Sequence, residues 1–254
     1  PKTSFKEIAA KHWKSLLVCV GIVISTNVTY YMLLTYMPSY LSHNLHYSED
    51  HGVLIIIAIM IGMLFVQPVI GLTSDRIGRK PFIIGGSIGL LALAIPCFIL
   101  INSNVIGLIF VGLLVLAVLL NSFTGVMASI LPAMFPTHIR YSALAISFNI
   151  SVLIAGATPT AAAWLVEATG NLYMPAYYLM VVAVIGLITG LYMKETANKP
   201  LRGATPAASD RSEAKELLQE TYDNIEQKVE DINAQIAELE KKKQILIDQH
   251  PKLD

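Results

Sequence analysis

The stretch Gly71–Lys80, GLTSDRIGRK, places Asp75, Arg76, Arg79 and Lys80 within ten residues, between two runs that contain no ionisable group at all. The run before it extends from Gly52 to Ser74 and the run after it from Phe82 to Ile101, each close to the ~20 apolar residues that cross a ~30 Å hydrocarbon layer as a helix. A charged turn this short, set between two such runs, is a connector at a membrane surface.

Four further runs of the same kind lie outside this pair: Ser15–Leu41, Val105–Leu131, Ser142–Val166 and Leu172–Met193, all free of Asp, Glu, Lys, Arg and His. Six buried helices of this composition in a water-soluble protein would need a polar shell that 14% charged residues, against 54% hydrophobic ones, do not supply. The mean hydropathy of +0.59 agrees. Basic residues crowd into alternate connectors: Lys2, Lys6, Lys11 and Lys14 before the first span, Arg76, Arg79 and Lys80 after the second, Arg140 after the fourth, Lys194, Lys199 and Arg202 after the sixth. The other three connectors carry Glu49 and Asp50, then Asn102–Asn104, then Glu167. Short cytoplasmic loops concentrate Lys and Arg, so both ends of the six-span unit are expected in the cytoplasm. The chain opens on Pro1 without a cleavable leader pattern and is expected to be part of something longer.

The formal net charge of zero conceals a division: from Ser209 onward there are 7 Lys+Arg against 12 Asp+Glu, and before it 11 against 6. In the acidic part Leu218, Tyr222, Ile225, Val229, Ile232, Ile236, Leu239, Lys243 and Leu246 alternate at spacings of four and three, a coiled-coil seam of about four heptads interrupted only by Lys243. Glu213, Glu216, Glu220, Asp223, Glu226, Glu230 and Asp231 precede the block Lys241–Lys243. A parallel pair would set like charges together and Lys243 beside its twin; an antiparallel homodimer brings the basic block toward the partner's acidic end. Such a pair is marginal and salt-sensitive, which suits either a sensor or a plain oligomerisation handle. The expected organisation is a six-span unit over 1–196, a linker over 197–211 and a cytoplasmic coiled coil over 212–250.

Gly71, Asp75, Arg76, Gly78, Arg79 and Lys80 fill every fixed position of G-x-x-x-D-R-x-G-R-[RK], and the loop resembles the signature of the major facilitator superfamily. That resemblance implies an all-α fold of twelve spans in two related halves, of which these six would be the C-terminal half. Asp75 is expected to contact neighbouring helix ends and stabilise an outward-facing state, beyond the topological role of the cations. A second stretch, Phe135, Pro136, Thr137, Arg140 and Tyr141, resembles the F-P-T-x-x-R-Y run of the metabolite:proton symporter family. There Pro136 ends a helix, and Arg140 is placed to anchor the loop on a helix C-terminus or on anionic lipid headgroups. The spans together with the tail, YDNIEQKVEDINAQIAELE and QHPKLD, resemble the osmosensing proline/glycine betaine transporters of that family. Proton symport of zwitterionic solutes such as proline, glycine betaine and ectoine in a bacterial inner membrane, activated by rising osmolality, is what this implies.

Asn27, Tyr30 and Tyr31 share one face of the first span ahead of a kink expected at Pro38, and Asn121 and Asn149 are further uncharged polar groups at membrane depth. Aromatic faces stabilise a quaternary ammonium, so these residues are candidates for a zwitterion site. Tyr36 and Tyr40 read as an interfacial belt. Proton coupling needs an ionisable group within the membrane. These spans hold none, so such groups are expected in spans outside this chain, which is not expected to transport alone. No metal or organic cofactor is implied: Cys19 and Cys97 lie in apolar runs without disulfide or ligand spacing. A carboxylate symporter of the same fold and a membrane-anchored coiled-coil scaffold are the rival readings. Neither a nucleophile–base pair nor a phosphate loop suggests an enzyme, and no basic domain suggests nucleic acid.

Overall fold

The computed structural model describes residues 5–197 and 211–249, and the chain divides into two units, Pro1–Gly203 and Ala204–Asp254. Among the described residues every regular element is a helix. Six candidate spans result, at His12–His43, Glu49–Ile77, Lys80–Ile101, Ile106–Ala133, Ile139–Thr169 and Met174–Tyr192. All six coincide with the uncharged runs, because a backbone without water around it must satisfy its N–H and C=O groups within the segment.

The first span is built from the part of α1 (Phe5–Tyr30) that follows a kink at His12, a π-helical segment (Tyr31–Tyr36) and α2 (Met37–His43). Where a kink at Pro38 was expected, the chain makes a wide π turn immediately before it and continues as helix. Pro38 has no N–H to give to Leu34, and its ring would crowd that carbonyl in an ordinary α turn; widening the preceding turn removes both problems without breaking the span. The second span, α3 (Glu49–Ile77), starts at Ser48, whose Oγ accepts the His51 N–H at 3.4 Å, with Glu49 and Asp50 at the positive end of the dipole. Next come α4 (Lys80–Ile101) and α5 (Ile106–Ala133). The fifth span differs from the single run read in the sequence: α6 (Thr137–Gly156) and α7 (Thr158–Thr169) meet at Ala157, because Pro159 cannot donate to the Ala155 carbonyl. The sixth is α8 (Met174–Tyr192).

Helix α1 lies at the centre, packed on α6, α8 and α5, while α4 fills the angle between α5 and α8, and α3 lies along α5. Lipid tails are as apolar as the side chains, so van der Waals contact and small residues draw the helices together. At Gly186 three helices converge: an added Cβ would stand 2.7 Å from Ser87 Oγ on α4 and 3.1 Å from Ser25 Oγ on α1. At Gly112 it would meet the Cys97 carbonyl of α4 at 2.8 Å. Most buried hydroxyls turn back to the carbonyl four residues earlier, as Thr26, Thr29, Ser87 and Ser147 do. Two also reach a neighbour: Ser25 Oγ donates to Val182 O at 3.4 Å and Ser151 Oγ to Val20 O at 3.2 Å. Cys19 and Cys97 are free and buried in these interfaces.

The second unit contributes α9 (Arg211–Gln249), 39 residues in one helix. Its seam side chains from Leu218 to Leu239 are all exposed, an apolar stripe with no packing of its own. Lys242 pairs with Glu238 at 2.6 Å, one turn apart, beside the exposed Lys243. The side chains of Leu246, Glu213, Glu216 and Glu220, and residues 198–210 of the expected linker, lie outside the described residues. Replacing Gly186 by Val overfills the junction of α1, α4 and α8 and is expected to cost about 1–3 kcal/mol; thermal unfolding of the full-length protein in detergent should show a lower midpoint than Gly186→Ala, and both lower than the parent.

Candidate functional site

The signature loop folds against the end of the last span. α3 terminates at Gly78, whose φ of +114° is one that L side chains rarely adopt, and α4 begins two residues later. The turn leaves the first N–H groups of α4 pointing outward, where a helix N-terminus attracts an anion. Glu195, just beyond α8, occupies that place: its Oε1 accepts the Arg79 N–H at 3.0 Å and its Oε2 the Lys80 N–H at 2.9 Å. The same carboxylate accepts the N–H groups of Thr196 and Ala197, both at 2.9 Å. Partial burial pushes the Glu195 pKa up, but four backbone donors outweigh it and hold the group below the ordinary glutamate range. Gly78 has a second reason to be glycine, since a Cβ there would stand 2.7 Å from Glu195 Oε2.

Arg79 is the enclosed member of the loop, 17% exposed against 56% for its partner Asp75, whose Oδ1 it meets at 3.1 Å. Its Nη1 also donates to the Ser129 carbonyl of α5 at 3.3 Å and to Thr196. Lys80 Nζ donates to the Leu191 carbonyl at 2.8 Å, at the negative end of α8. Arg76 is exposed and makes no hydrogen bond or ion pair among the described residues. A Cβ added at Gly71 would stand 3.7 Å from the Gly125 carbonyl, so α3 lies close to α5 there. Pro136 precedes α6, and Arg140 Nε donates to the Phe135 carbonyl at 3.2 Å, just past the end of α5. One end of the unit thus gathers Arg79, Lys80 and Glu195.

At the other end Tyr40 joins three segments. Its hydroxyl meets Asn102 Oδ1 at 2.9 Å and the Leu172 carbonyl at 2.8 Å, while its ring stacks edge-on to Phe98. Tyr40 is completely buried, so it is an interior clamp and not a lipid-facing belt residue.

The candidate solute residues do not gather into one cluster. Tyr30 and Tyr31 touch edge to face at 5.9 Å, Tyr30 exposed and Tyr31 packed against Val28, Ala155 and Val182. Asn27, one turn earlier, keeps a buried Nδ2 with no hydrogen-bond partner among the described residues. Asn149 is exposed on α6 and returns its amide to Ala145 O. Asn121 stands apart, fully buried, donating to the Met63 carbonyl of α3 at 3.2 Å. Glu195 escaped the reading of the sequence because its partners lie 115 and 116 residues away. The only local signal was a carboxylate directly after a span.

Glu195→Ala removes a charged cap and is expected to cost about 1–2 kcal/mol, discounted for its partial exposure. Because the folded pKa is lowered, the contribution is complete above the unfolded carboxylate pKa and disappears as pH falls through the folded one. Thermal unfolding of parent and variant across pH should therefore converge in acid and diverge toward neutrality.

Comparison with known proteins places these features. The family described as Sugar (and other) transporter matches residues 2–208, and the one described as Osmosensory transporter coiled coil matches 209–254. All 254 residues align at 79% identity with a proline/betaine transporter of Salmonella typhimurium and at 77% with a glycine betaine/proline/ectoine/pipecolic acid transporter of Dickeya dadantii, covering 51% of each. An ectoine/proline transporter of Corynebacterium glutamicum is 36% identical over 82% of the chain and 41% of its own length. The chain spans about half the length of the curated relatives it matches most fully. With six membrane helices, a matched transporter region and a matched coiled coil, this multi-pass membrane chain belongs to the sugar (and other) transporter family and ends in an osmosensory transporter coiled coil.

Proposed function

We propose that the protein to which this chain contributes takes up proline, glycine betaine and ectoine by proton symport when external osmolality rises, and that this chain is the C-terminal half of its membrane body with the regulatory tail. The observation that carries this reading is 77–79% identity over all 254 residues, tail included, to proteins named for transport of these solutes. The apolar runs at the centre of these spans contain no Asp, Glu, Lys, Arg or His, so the proton-coupling residues belong to spans outside this chain. The gathered cations of the signature end support its placement on the cytoplasmic side of a bacterial inner membrane. Exposed Arg76 there is suited to anionic headgroups.

Asn27, Tyr30, Tyr31 and Asn149 are the residues of this half proposed to face the solute, with the unpartnered Asn27 amide available to a carboxylate and the Tyr30 ring to a cation. Asn121, bonded to α3, holds two helices of the wall together. Asp75 acts through Arg79, whose bonds to α5 and to Thr196 it orients, as a latch for one access state. The exposed stripe of α9 supports pairing with a second copy, antiparallel because Lys241–Lys243 then face the acidic end.

The test is uptake of labelled glycine betaine by the full-length protein in proteoliposomes across external osmolality, with and without a proton gradient. Uptake should rise with osmolality and collapse with the gradient; a solute-independent or gradient-independent signal refutes the proposal. Truncation after Ala208 should shift the osmolality threshold, and an unmoved threshold reduces the tail to a dimerisation handle. Tyr30→Ala and Asn27→Ala should each lower betaine uptake, and Asp75→Asn should change the labelling of cysteine probes at the signature end.

A further inference from the structure

Between the second half of the first span and α7 runs a groove of about 470 Å³, lined among others by Thr35, Tyr36, Ser39, Thr160, Trp164 and Glu167. None of these belongs to the solute residues named above. The π segment sets one wall, and π turns in helices recur where a side chain is presented for function. The other wall is one face of α7, where Thr160, Trp164 and Glu167 follow at intervals of four and three residues. The break at Ala157 frees α7 to lie against the π segment, and exposed Ala163 leaves the wall between Thr160 and Glu167 low.

A polar lining separates this groove from an ordinary lipid-facing surface: Thr35 and Ser39 on one wall and Thr160 on the other are exposed and carry hydroxyls. Trp164, 65% exposed, shares its helical face with the carboxylate of Glu167, and a Trp present only as an interfacial anchor needs no such neighbour. An aromatic face, an anion one turn away and hydroxyls opposite make a recognition site for an organic cation of small size.

We propose that this groove is a vestibular subsite that takes the ammonium end of a zwitterionic solute, with Trp164 supplying the ring face, Glu167 the counter-charge and the hydroxyls of Thr35 and Ser39 donors for the solute's carboxylate. It rests on the reading that the whole protein carries small zwitterions, and it adds a second station toward the acidic end of the unit.

The test uses the full-length protein in proteoliposomes with glycine betaine as substrate and tetramethylammonium, which has the cation and lacks the carboxylate, as competitor. Tetramethylammonium should inhibit wild-type uptake competitively. Trp164→Ala and Glu167→Gln should each raise the KM for glycine betaine about three- to tenfold and weaken that inhibition, with Vmax within about twofold, while Trp164→Phe stays close to the parent. An unchanged KM in both variants, or no inhibition of the wild type, overturns the subsite. Wild-type vesicles that take up no glycine betaine at any osmolality would instead overturn the transport reading itself. Should Trp164→Ala not accumulate, Glu167→Gln and the wild-type competition still decide.

Discussion

Within hydrocarbon a backbone amide has no solvent to bond, and this requirement shapes the whole six-span unit. It forces each apolar run into helix and confines charge to the connectors. Departures from the α ladder then need a local cause. Both departures at depth occur at prolines: the π turn ahead of Pro38 and the junction at Ala157 ahead of Pro159. Each opens a helix without leaving the span, and together they form the two walls of the groove around Tyr36 and Trp164. The lipid constraint therefore accounts for where irregular backbone is tolerated.

At the helix ends a different economy applies. The first turn of α4 exposes N–H groups that no residue of its own helix can satisfy, and the last turn of α8 exposes carbonyls. Glu195 answers the first and Lys80 the second, so the connectors exchange caps across the chain. Arg79 adds a bond to α5. The signature spacing is thus a geometric recipe: Gly78 supplies a left-handed turn that no bulky residue would accept, which brings Arg79 and Lys80 within reach of a carboxylate from another helix.

Much of this was legible beforehand. Uncharged runs gave six spans to within a few residues, and the four-three alternation from Leu218 gave the helical tail. The glycines and charges of Gly71–Lys80 marked the connector that organises one end. Less legible were features whose cause is distant in sequence. Glu195 reads as an ordinary charge after a span until α4 is placed beside it, and Tyr40 reads as a belt aromatic until Asn102 and Leu172 arrive. Asn121 and Asn149 look equivalent in the sequence, yet one is sealed between α3 and α5 and the other stands open. Polarity at membrane depth is visible in residue names; which helix it faces depends on rotation, and runs that are apolar on all sides carry little record of rotation.

Tyr40 and Glu195 also bear on how the unit is held together. Each laces several helices at its own mouth, one through Asn102 and Leu172, the other through the start of α4. The same bundle leaves other faces unlaced. Those surfaces are broad and greasy: Leu64, Phe65 and Leu72 on α3 and Leu153 on α6 are all at least 70% exposed. Faces like these suit lipid tails or the apolar side of another helix, with which they make the same van der Waals contact.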